Sequence, residues 1–499
     1  MKKINDILRN CVVTEVVGDN DRCVSALTFD SRKCADNVAF FALRGTQVDG
    51  HDFIDKAVGL GAKVVVCEKT PDVIYDDVTY YVVEDSAKAL GYAASEFYDR
   101  PSEKLHLVGV TGTNGKTTIA TLLYRLFFNA GYPCGLLSTI ENRVNNLVVP
   151  STHTTGDQLQ INEMLSKMVD AGCEYAFMEV SSHAVAQDRI AGLHFAGGIF
   201  TNLTHDHLDY HKTVAAYRDA KKKFFDNLPA SAFALTNIDD RNGMMMLQNT
   251  KAAKKTYSLR TDADFKGVVL ESYFDGMELK INRNNVSTFL VGRFNVSNLL
   301  AIYGAASLLG MSDDDLLKEI SNLHSAPGRF QMVHSNSGIV GIVDYAHTPD
   351  GLRQLLQNAR AILPKKAQLF VVFGCGGDRD RSKRPIMGKI ANQLADFVVL
   401  TSDNPRTEDP DKIIDEIEHG IITADTATLN NYLDENQVEK QKRHTRIVDR
   451  VEAIKFAVEQ AQMGDMVVIA GKGHENYMEI NHEKIPYMDS KVIDNILRG

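Results

Sequence analysis

Short apolar runs alternate with segments of helical periodicity along most of this chain. After residue 118, apolar side chains recur at the spacing of one helix face, and Gly131 stands where a C-cap glycine is expected. Apolar runs predict strands at residues 38–43, 63–67, 79–83, 105–110, 175–180, 198–203, 233–236, 339–343, 369–373, 397–400 and 466–470. Alternating strands and helices predict parallel βαβ sheets, and therefore an α/β fold.

The length and two polar stretches predict three domains. The chain has 499 residues, and a domain takes roughly 150. Proline-containing polar stretches lie at residues 98–103 and 325–329. We expect a small N-terminal α/β domain at 1–101, a central P-loop-type parallel-sheet domain at 102–330 and a Rossmann-like domain at 331–499.

Composition narrows the class of protein. Lys plus Arg number 55 and Asp plus Glu 65, a net charge of −10 that disfavours a nucleic-acid coat or polybasic membrane binder. Seven cysteines without C-x-x-C spacing disfavour a disulfide framework or a zinc site and favour a reducing compartment. The N-terminus lacks a signal-peptide core, and no apolar run is long enough for a membrane span. We expect a cytoplasmic protein.

The strongest motif is a glycine-rich loop between a strand and a helix. Residues 108–118 read Val-Gly-Val-Thr-Gly-Thr-Asn-Gly-Lys-Thr-Thr. Backbone N–H groups of such a loop can surround phosphate oxygens, Lys116 would reach the outer phosphates and Thr117 would offer a hydroxyl to Mg²⁺. Val110 stands where the strict pattern has glycine. The strand and helix context favours nucleoside-triphosphate binding over an incidental turn.

Two later strand ends carry possible metal ligands. Glu179 lies near the end of one predicted strand, and another is followed by His205, Asp206, His207, Asp209 and His211. Loops at the carboxyl ends of parallel strands converge, so these groups could hold Mg²⁺ or Mn²⁺. The alternative is a polar loop whose histidines only form hydrogen bonds.

Lys221 lies on the apolar stripe of a predicted helix. From position alone we expect a lysine that extends to solvent, with an inward lysine of unusual charge state as the alternative.

Three strands of the last block end in charged loops, at residues 374–381, 401–406 and 471–475. Arginine suits bidentate recognition of carboxylates, and Glu475 or Asp403 could hold an ammonium. The loops therefore predict an amino-acid site, with ordinary solvated turns as the alternative.

Ordered motifs give the whole chain a close resemblance to the Mur ligases. They lie at residues 112–118, 179–183, 202–211, 292–298, 327–330 and 344–349. The motifs at 376–379, 403–406 and 471–475 resemble the branch that adds the third peptide residue.

The resemblance implies an ATP-dependent amide-bond ligase of cytoplasmic peptidoglycan precursor synthesis. It would join UDP-N-acetylmuramoyl-L-alanyl-D-glutamate to a diamino acid through an acyl phosphate, with Mg²⁺ as cofactor and ATP as co-substrate. The three domains would hold the uridine nucleotide, ATP and the amino acid. A monomer without nucleic-acid or membrane partners is expected.

The resemblance also assigns residues. Lys116, Lys221, His207 and Glu179 would be catalytic; Thr117, Glu179, His207 and a carbamylated Lys221 would serve the metals. ATP contacts would come from Gly112, Thr113, Asn114, Gly115, Lys116, Thr117, Thr118, Asn298, Arg329 and Asp344. The muramoyl-peptide nucleotide would meet Ser31, Thr154, Thr155, Asp157, Ser181, Gln187 and Arg189. The amino acid would meet Arg379, Asp403, Asn404, Pro405, Arg406, Gly471 and Glu475.

The Asp-Asn-Pro-Arg sequence at 403–406 resembles that of family members that take meso-diaminopimelate. The resemblance therefore implies this amino acid as the substrate. Arg406 can pair with its distal carboxylate, whereas lysine would leave the cation unpaired. One departure is Lys212, where relatives often carry glycine. The alternatives are L-lysine as substrate, a folyl-polyglutamate-type or cyanophycin-type ligase, and a non-enzymatic nucleotide-binding regulator.

Overall fold

The computed structural model describes residues 1–45, 48–151, 154–204, 208–273, 275–429 and 443–498. The chain divides into two compact units. The first comprises Met1–Leu203, His207–Lys266 and Leu300–Glu319, and the second Thr204–Asp206, Gly267–Leu299 and Ile320–Gly499. The expected boundary between residues 101 and 102 thus lies inside the first unit.

The first hundred residues of unit one form a small α/β sheet. Its strands are β1 (Lys2–Lys3), β2 (Val13–Val17), β3 (Cys23–Val24), β4 (Ala26–Thr28), β5 (Val38–Phe41), β6 (Val64–Cys67) and β7 (Thr79–Val83). Its helices are α1 (Ile4–Ile7), α2 (Ile54–Gly59) and α3 (Ser86–Phe97). The sheet order is β2-β7-β6-β5-β4, parallel except for β2, and β1 pairs with β3. Apolar clusters cover both faces of the sheet, which explains why its parallel strands are uniformly apolar.

A larger sheet follows in the same unit. Its strands are β8 (His106–Thr111), β9 (Cys134–Leu137), β10 (Asn142–Val144), β11 (Leu147–Val149), β12 (Tyr175–Glu179), β13 (Gly197–Phe200), β14 (Phe233–Asn237), β15 (Ala253–Ser258) and the start of β16 (Phe265–Ser272). The order is β11-β10-β9-β12-β8-β13-β14-β15-β16, and the pairs from β9 to β16 are parallel. Strand β8 lies between β12 and β13, so the loops that follow these three strands meet at one edge.

The parallel strands of this sheet are connected by α4 (Lys116–Asn129), α5 (Gln158–Asp170), α6 (Ser182–Ala186), α7 (Leu208–His211), α8 (Val214–Asp226) and α9 (Gly243–Met246). Two later helices, α10 (Arg293–Leu308) and α11 (Asp313–Ser321), each have residues in both units. Helix α4 ends as expected, because Gly131 adopts a left-handed φ of 89° just after it. The strand expected at 198–203 ends earlier, at Phe200. Residues 201 and 202 instead bind the glycine-rich loop, as described below.

Unit two contains an antiparallel ribbon and a second parallel sheet. Strand β16 pairs here with β17 (Met277–Ile281), and β17 with β18 (Asn284–Thr288). The sheet uses β19 (Gln331–His334), β20 (Val340–Asp344), β21 (Leu369–Phe373), β22 (Phe397–Leu400), β23 (Arg443–Arg446) and β24 (Met466–Ala470). Its order is β19-β20-β24-β21-β22-β23, and only β19 is antiparallel.

The helices α12 (Pro349–Ile362), α13 (Lys383–Leu394), α14 (Pro410–Leu429), α15 (Arg450–Gln460) and α16 (Asp489–Arg498) belong to this sheet, and its core lies on both faces. A hairpin of β25 (Tyr477–Ile480) and β26 (Glu483–Pro486) precedes α16. The carboxyl ends of β20, β24, β21 and β22 are neighbours, so the loops after them share one edge. The predicted α/β class with parallel sheets is confirmed.

Candidate active site

The glycine-rich loop of unit one is held by the residues that follow β13. Thr201 Oγ1 donates to the Asn114 carbonyl at 2.6 Å, and the Asn114 amide donates to Asn202 Oδ1 at 3.0 Å. Gly112 has a φ of 152°, and a Cβ on it would lie 1.8 Å from Thr201 Oγ1. Only glycine fits this approach, so the close contact explains why the motif begins there.

Lys116 begins α4 and folds back over the loop. Its Nζ donates to the carbonyls of Gly112 at 2.9 Å and Thr113 at 2.8 Å. The ammonium therefore lies over the backbone that the sequence predicts as a phosphate cradle. In the same loop, Thr113 Oγ1 lies 3.1 Å from the Tyr217 hydroxyl.

Thr117 and Glu179 come together as the sequence predicted. Thr117 Oγ1 donates to Glu179 Oε2 at 2.9 Å, and the Thr139 amide donates to Oε1 at 2.7 Å. Glu179 is 1% exposed. The first turn of α4 and the end of β12 thus present a hydroxyl and a buried carboxylate at one point, a donor set that suits a hard divalent cation.

Lys221 turns inward, so the expectation drawn from its position alone is wrong. Lys221 lies on α8 and is buried, and its Nζ donates to the Gly112 carbonyl at 2.8 Å. The Nζ also lies 4.5 Å from the centre of the Tyr217 ring. The apolar face of α8 packs into the hydrophobic core of unit one. Lys221 lies on that face, so its side chain points towards the glycine-rich loop and not to solvent.

Some predicted metal ligands lie outside the described residues, namely His205, Asp206 and His207. His211 is buried, and its Nε2 lies 2.9 Å from Ser182 Oγ, which is the hydrogen-bonding alternative for a histidine of this segment. Within the ranges that the structure describes, no group of three or more His, Cys, Asp or Glu side chains could hold a metal. Lys212 adopts a left-handed φ of 65°, a conformation that favours the glycine of relatives.

The residues predicted to meet the muramoyl-peptide cluster after β11 and β12. Thr155 Oγ1 donates to the Glu179 carbonyl and accepts from the Ser181 amide, while Arg189 Nη1 donates to the Thr155 carbonyl. Arg189 Nε and Nη2 both donate to Gln187 Oε1. Burial lowers the pKa of the Arg189 guanidinium below its usual value.

The other residues of this predicted set have local roles. Thr154 Oγ1 accepts from Thr139 Oγ1 at 3.1 Å, and Asp157 caps α5 in a reciprocal capping box with Gln160. Ser31 lies apart from this cluster in sequence and is buried in the 3-10 turn Ser31–Lys33.

Three predicted ATP contacts belong to unit two. Asp344 ends β20, Arg329 lies just before β19, and Asn298 lies on α10. Asp344 accepts from the amides of Phe330 at 2.7 Å and Ala346 at 2.8 Å. Burial raises the pKa of the Asp344 carboxyl, and the charge of Arg329 opposes this. The Arg329 guanidinium stacks 4.7 Å from the Tyr345 ring centre. Asn298 is buried on α10 and donates to Asn295 Oδ1 at 3.3 Å.

The three charged loops of unit two meet, as the strand order requires. Asn404 Nδ2 donates to Glu475 Oε2 at 2.8 Å, and Lys472 Nζ donates to both Asn404 Oδ1 and Glu475 Oε2. Gly471 has a φ of 117°, and a Cβ on it would lie 2.4 Å from Asp403 Oδ2. Burial raises the pKa of Asp403, while Arg450 and Lys472 oppose the shift.

Both predicted arginines flank Gly376. A Cβ on Gly376 would lie 2.9 Å from Arg406 Nη1 and 3.8 Å from Arg379 Cγ. Arg379 is exposed, whereas Arg406 is half-buried and paired with Glu479. The Pro405 carbonyl accepts from the Glu408 amide, which turns the chain after Arg406.

Sequence reasoning missed three side chains of this region. Lys472 is fully buried, and its place between Gly471 and Glu475 was the available signal. Glu479 lies on β25, after the third charged loop, and nothing in the sequence pattern marked it as a site residue. Arg450 is fully buried in a bidentate pair with Asp489 and donates to the carbonyls of Ser402 and Ala470, so it ties together two of the loops.

The structure bears on two features that the sequence analysis considered, the cysteines and the possibility of a membrane span. All seven cysteines are free, and five of them are buried. None of the helices in the described part of the chain is long and apolar enough to cross a membrane.

Comparison with known proteins gives matches along the chain. Models of the Mur ligase family catalytic domain, the Mur ligase middle domain and the Mur ligase glutamate ligase domain match residues 24–98, 110–306 and 328–473. A Phocaeicola vulgatus protein named UDP-N-acetylmuramoyl-L-alanyl-D-glutamate–2,6-diaminopimelate ligase is 49% identical over 494 residues, 99% of each chain. A Bacteroides fragilis protein of that name is 48% identical with the same coverage. A solved structure bearing that name has a TM-score of 0.70 and 33% identity, over 100% of this chain and 99% of that one.

Proposed function

Because the chain belongs to the Mur ligase family, we propose that it adds meso-2,6-diaminopimelate to UDP-N-acetylmuramoyl-L-alanyl-D-glutamate with ATP. The observation that carries the choice of amino acid is the half-buried Arg406 beside the joined Asn404, Lys472 and Glu475 side chains. A guanidinium held in such a polar pocket suits a substrate with a second carboxylate. The names of the full-length relatives agree with this choice.

The proposed reaction has two steps. The D-glutamate γ-carboxylate attacks the γ-phosphorus of ATP, so that a C–O–P bond forms and ADP leaves with the bridging oxygen. The amine of diaminopimelate then attacks the acyl carbon, loses a proton, and expels phosphate to leave an amide bond. Neither step needs a covalent enzyme intermediate, so the residues act by positioning and by neutralising charge.

The phosphate loop would bind ATP through its backbone N–H groups and Lys116. Lys116 now donates to two carbonyls of its own loop, and it would exchange these for phosphate oxygens when ATP binds. Asn298, Arg329 and Asp344 would make the remaining ATP contacts. The Arg329 guanidinium is stacked on the Tyr345 ring, and in this proposal it would supply positive charge to the nucleotide.

The Thr117 hydroxyl and the buried Glu179 carboxylate fit a magnesium site. We propose that they hold one Mg²⁺ and that His207, which lies outside the described residues, serves a second. Bound Mg²⁺ supplies neutralisation of the phosphate charge. This chain's residues would then orient the γ-phosphate towards the D-glutamate carboxylate.

We also propose that Lys221 is carbamylated by CO₂. Its Nζ and that of Lys116 both donate to the Gly112 carbonyl, so two ammonium groups approach one acceptor. Carbamylation would convert Lys221 into an anion, which relieves this repulsion and adds an oxygen ligand near the metal. The N–H of the carbamate could still donate to Gly112.

Three domains, with boundaries at 101/102 and 330/331, would hold the uridine nucleotide, ATP and the amino acid. In this arrangement Ser31 would contact the uridine diphosphate. Thr154, Thr155, Asp157, Ser181, Gln187 and Arg189 would contact the muramoyl-peptide. We propose that the enzyme works in the cytoplasm as a monomer, without nucleic-acid or membrane partners.

A panel of amino acids tests the proposal. Phosphate release from ATP should require both the UDP-muramoyl dipeptide and meso-diaminopimelate, and L-lysine should be a much poorer substrate. Equal turnover with L-lysine would overturn the specificity, and glutamate addition to a folate would favour the folyl-polyglutamate alternative. ATP binding without turnover for any pair would favour the regulator.

A further inference from the structure

The backbone of Arg406 is hydrogen-bonded on both sides to the β25–β26 hairpin. Arg406 has a φ of 51°, a sparsely populated conformation for a residue with a side chain. Its amide donates to the Glu479 carbonyl at 3.1 Å, and the Asn481 amide donates to the Arg406 carbonyl at 2.8 Å. The hairpin therefore holds Arg406 on both sides in a conformation that few residues adopt unaided.

The Arg406 side chain is fixed from two directions. Its Nε donates to Glu479 Oε2 at 3.1 Å, and its Nη1 donates to the Gly377 carbonyl at 2.7 Å. The side chain of Arg406 is 18% exposed and that of Glu479 is 22% exposed. Partly buried groups of opposite charge lose less to solvent screening than a surface pair does.

A guanidinium can meet a carboxylate along either of two edges, Nε with Nη2 or Nη1 with Nη2. Glu479 occupies Nε and so removes the first edge. Gly377 takes only one of the two N–H groups of Nη1. One N–H group of Nη1 and both N–H groups of Nη2 therefore make no hydrogen bond to the described residues, and they can serve an incoming carboxylate at the second edge.

We propose that Glu479 is a positioning residue for amino-acid specificity, one that holds Arg406 so that its Nη1–Nη2 edge meets the distal carboxylate of the substrate. This rests on the proposed function and assigns a role to a residue outside the three charged loops. Glu479 also balances the Arg406 charge when the pocket is empty, so the half-buried cation is never unpaired. A substrate carboxylate then docks on a guanidinium that is already ordered.

The backbone of Glu479 has a separate role from its side chain. Its amide donates to Asn404 Oδ1 at 2.9 Å, and this bond survives substitution of the side chain. A variant of Glu479 should therefore disturb Arg406 while Asn404 and Glu475 stay in place. Substitution of Glu479 can therefore test the role of its side chain without removing its backbone hydrogen bond to Asn404.

The test measures steady-state kinetics of Glu479→Ala and Glu479→Gln. We expect Glu479→Ala to raise the KM for meso-diaminopimelate about tenfold, with kcat and the KM for ATP changed less than twofold. Glu479→Gln should recover most of the loss, because its amide oxygen still accepts from Nε. The matched control is Glu483→Ala, an exposed glutamate of the same hairpin, which should behave as wild type.

A double-mutant cycle with Arg406→Ala separates positioning from a general structural effect. If Glu479 acts through Arg406, Glu479→Ala adds no further increase in KM in the Arg406→Ala background. An additive increase, an equal increase in the KM for ATP, or an unchanged KM in Glu479→Ala would overturn the inference. Wild-type protein that fails to use diaminopimelate would instead overturn the proposed function, so the two failures are distinguishable.

Discussion

Lys116 and Lys221 share one hydrogen-bond acceptor, the carbonyl oxygen of Gly112, at 2.9 and 2.8 Å. One lysine begins the helix after the phosphate loop, and the other comes from the buried stripe of α8. The two ammonium groups thus approach one oxygen, and this geometry is the observation behind the proposed carbamylation of the buried Lys221.

If the proposed carbamate is present, Lys221→Ala should lower the rate of phosphate release about 100-fold or more, because a charged group beside the glycine-rich loop is lost. Acetate should restore part of the activity, since a small carboxylate can enter the space left by the carbamate. The measurement is turnover with and without acetate. Lys223→Ala, an exposed neighbour on the same helix, is the control and should stay within about twofold of wild type. Loss without any response to acetate would argue against the carbamate.

Arg406→Ala should reduce kcat/KM for meso-diaminopimelate. The reduction should correspond to a loss of about 2–5 kcal/mol in transition-state stabilisation, because a partly desolvated charge pair loses one partner. Turnover with L-lysine should fall much less. Both values come from the same phosphate-release assay. Arg381→Ala removes an exposed arginine of the neighbouring loop and serves as control. Equal losses for both amino acids would contradict a role in reading the distal carboxylate.

Thr117→Val should raise the Mg²⁺ concentration needed for half-maximal activity about tenfold or more, because an oxygen donor beside Glu179 is removed at constant shape. Thr117→Ser keeps the hydroxyl and should restore the wild-type requirement. Titration of activity against Mg²⁺ at saturating ATP checks this. An unchanged Mg²⁺ requirement in Thr117→Val would remove Thr117 from the metal site.

His474 should make unit two sensitive to acid. Burial, aided by the charge of Arg329, lowers the pKa of His474 from 6.5 to about 4. Between these two values the unfolded chain binds a proton at His474 more readily than the folded chain does. The free energy of unfolding is therefore at its full value above pH 6.5 and decreases as the pH falls towards 4. The loss over that window is about 3 kcal/mol.

Unfolding of wild type and His474→Gln at about pH 7 and pH 5 tests this. The variant lacks the titrating group, so its melting temperature should fall less between the two pH values. Parallel pH dependence in the two proteins would show that His474 is not the group responsible.

The Arg450–Asp489 pair should be a major contributor to the stability of unit two. Both side chains are fully buried, and Asp489 also accepts from the Tyr487 hydroxyl at 2.9 Å. Asp489→Asn should cost about 3–5 kcal/mol of unfolding free energy, because it leaves the guanidinium buried without its counter-charge. Denaturant unfolding measures the cost. Asp494→Asn, whose exposed pair with Arg498 lies on the same helix, should cost less than about 1 kcal/mol.

The sequence by itself determined the elements and the loops that carry chemistry. Apolar runs mark the parallel strands because those strands are buried on both faces, and Gly112 marks a backbone approach that a side chain would block. Since parallel strands end at one edge, the sequence also predicts that the loop with Thr117 lies near Glu179 and that the loop with Asn404 lies near Glu475. The strand order in the structure then brings each pair into contact.

Only the tertiary structure decided the direction of Lys221 and the partner of Arg406. A lysine on an apolar stripe can extend to solvent or turn inward, and the carbonyl that receives Lys221 lies 109 residues away in the chain. Glu479 reaches Arg406 across 73 residues, through a hairpin whose own pattern is unremarkable. Local periodicity sets which face of an element is buried, but long-range packing chooses which polar groups meet there.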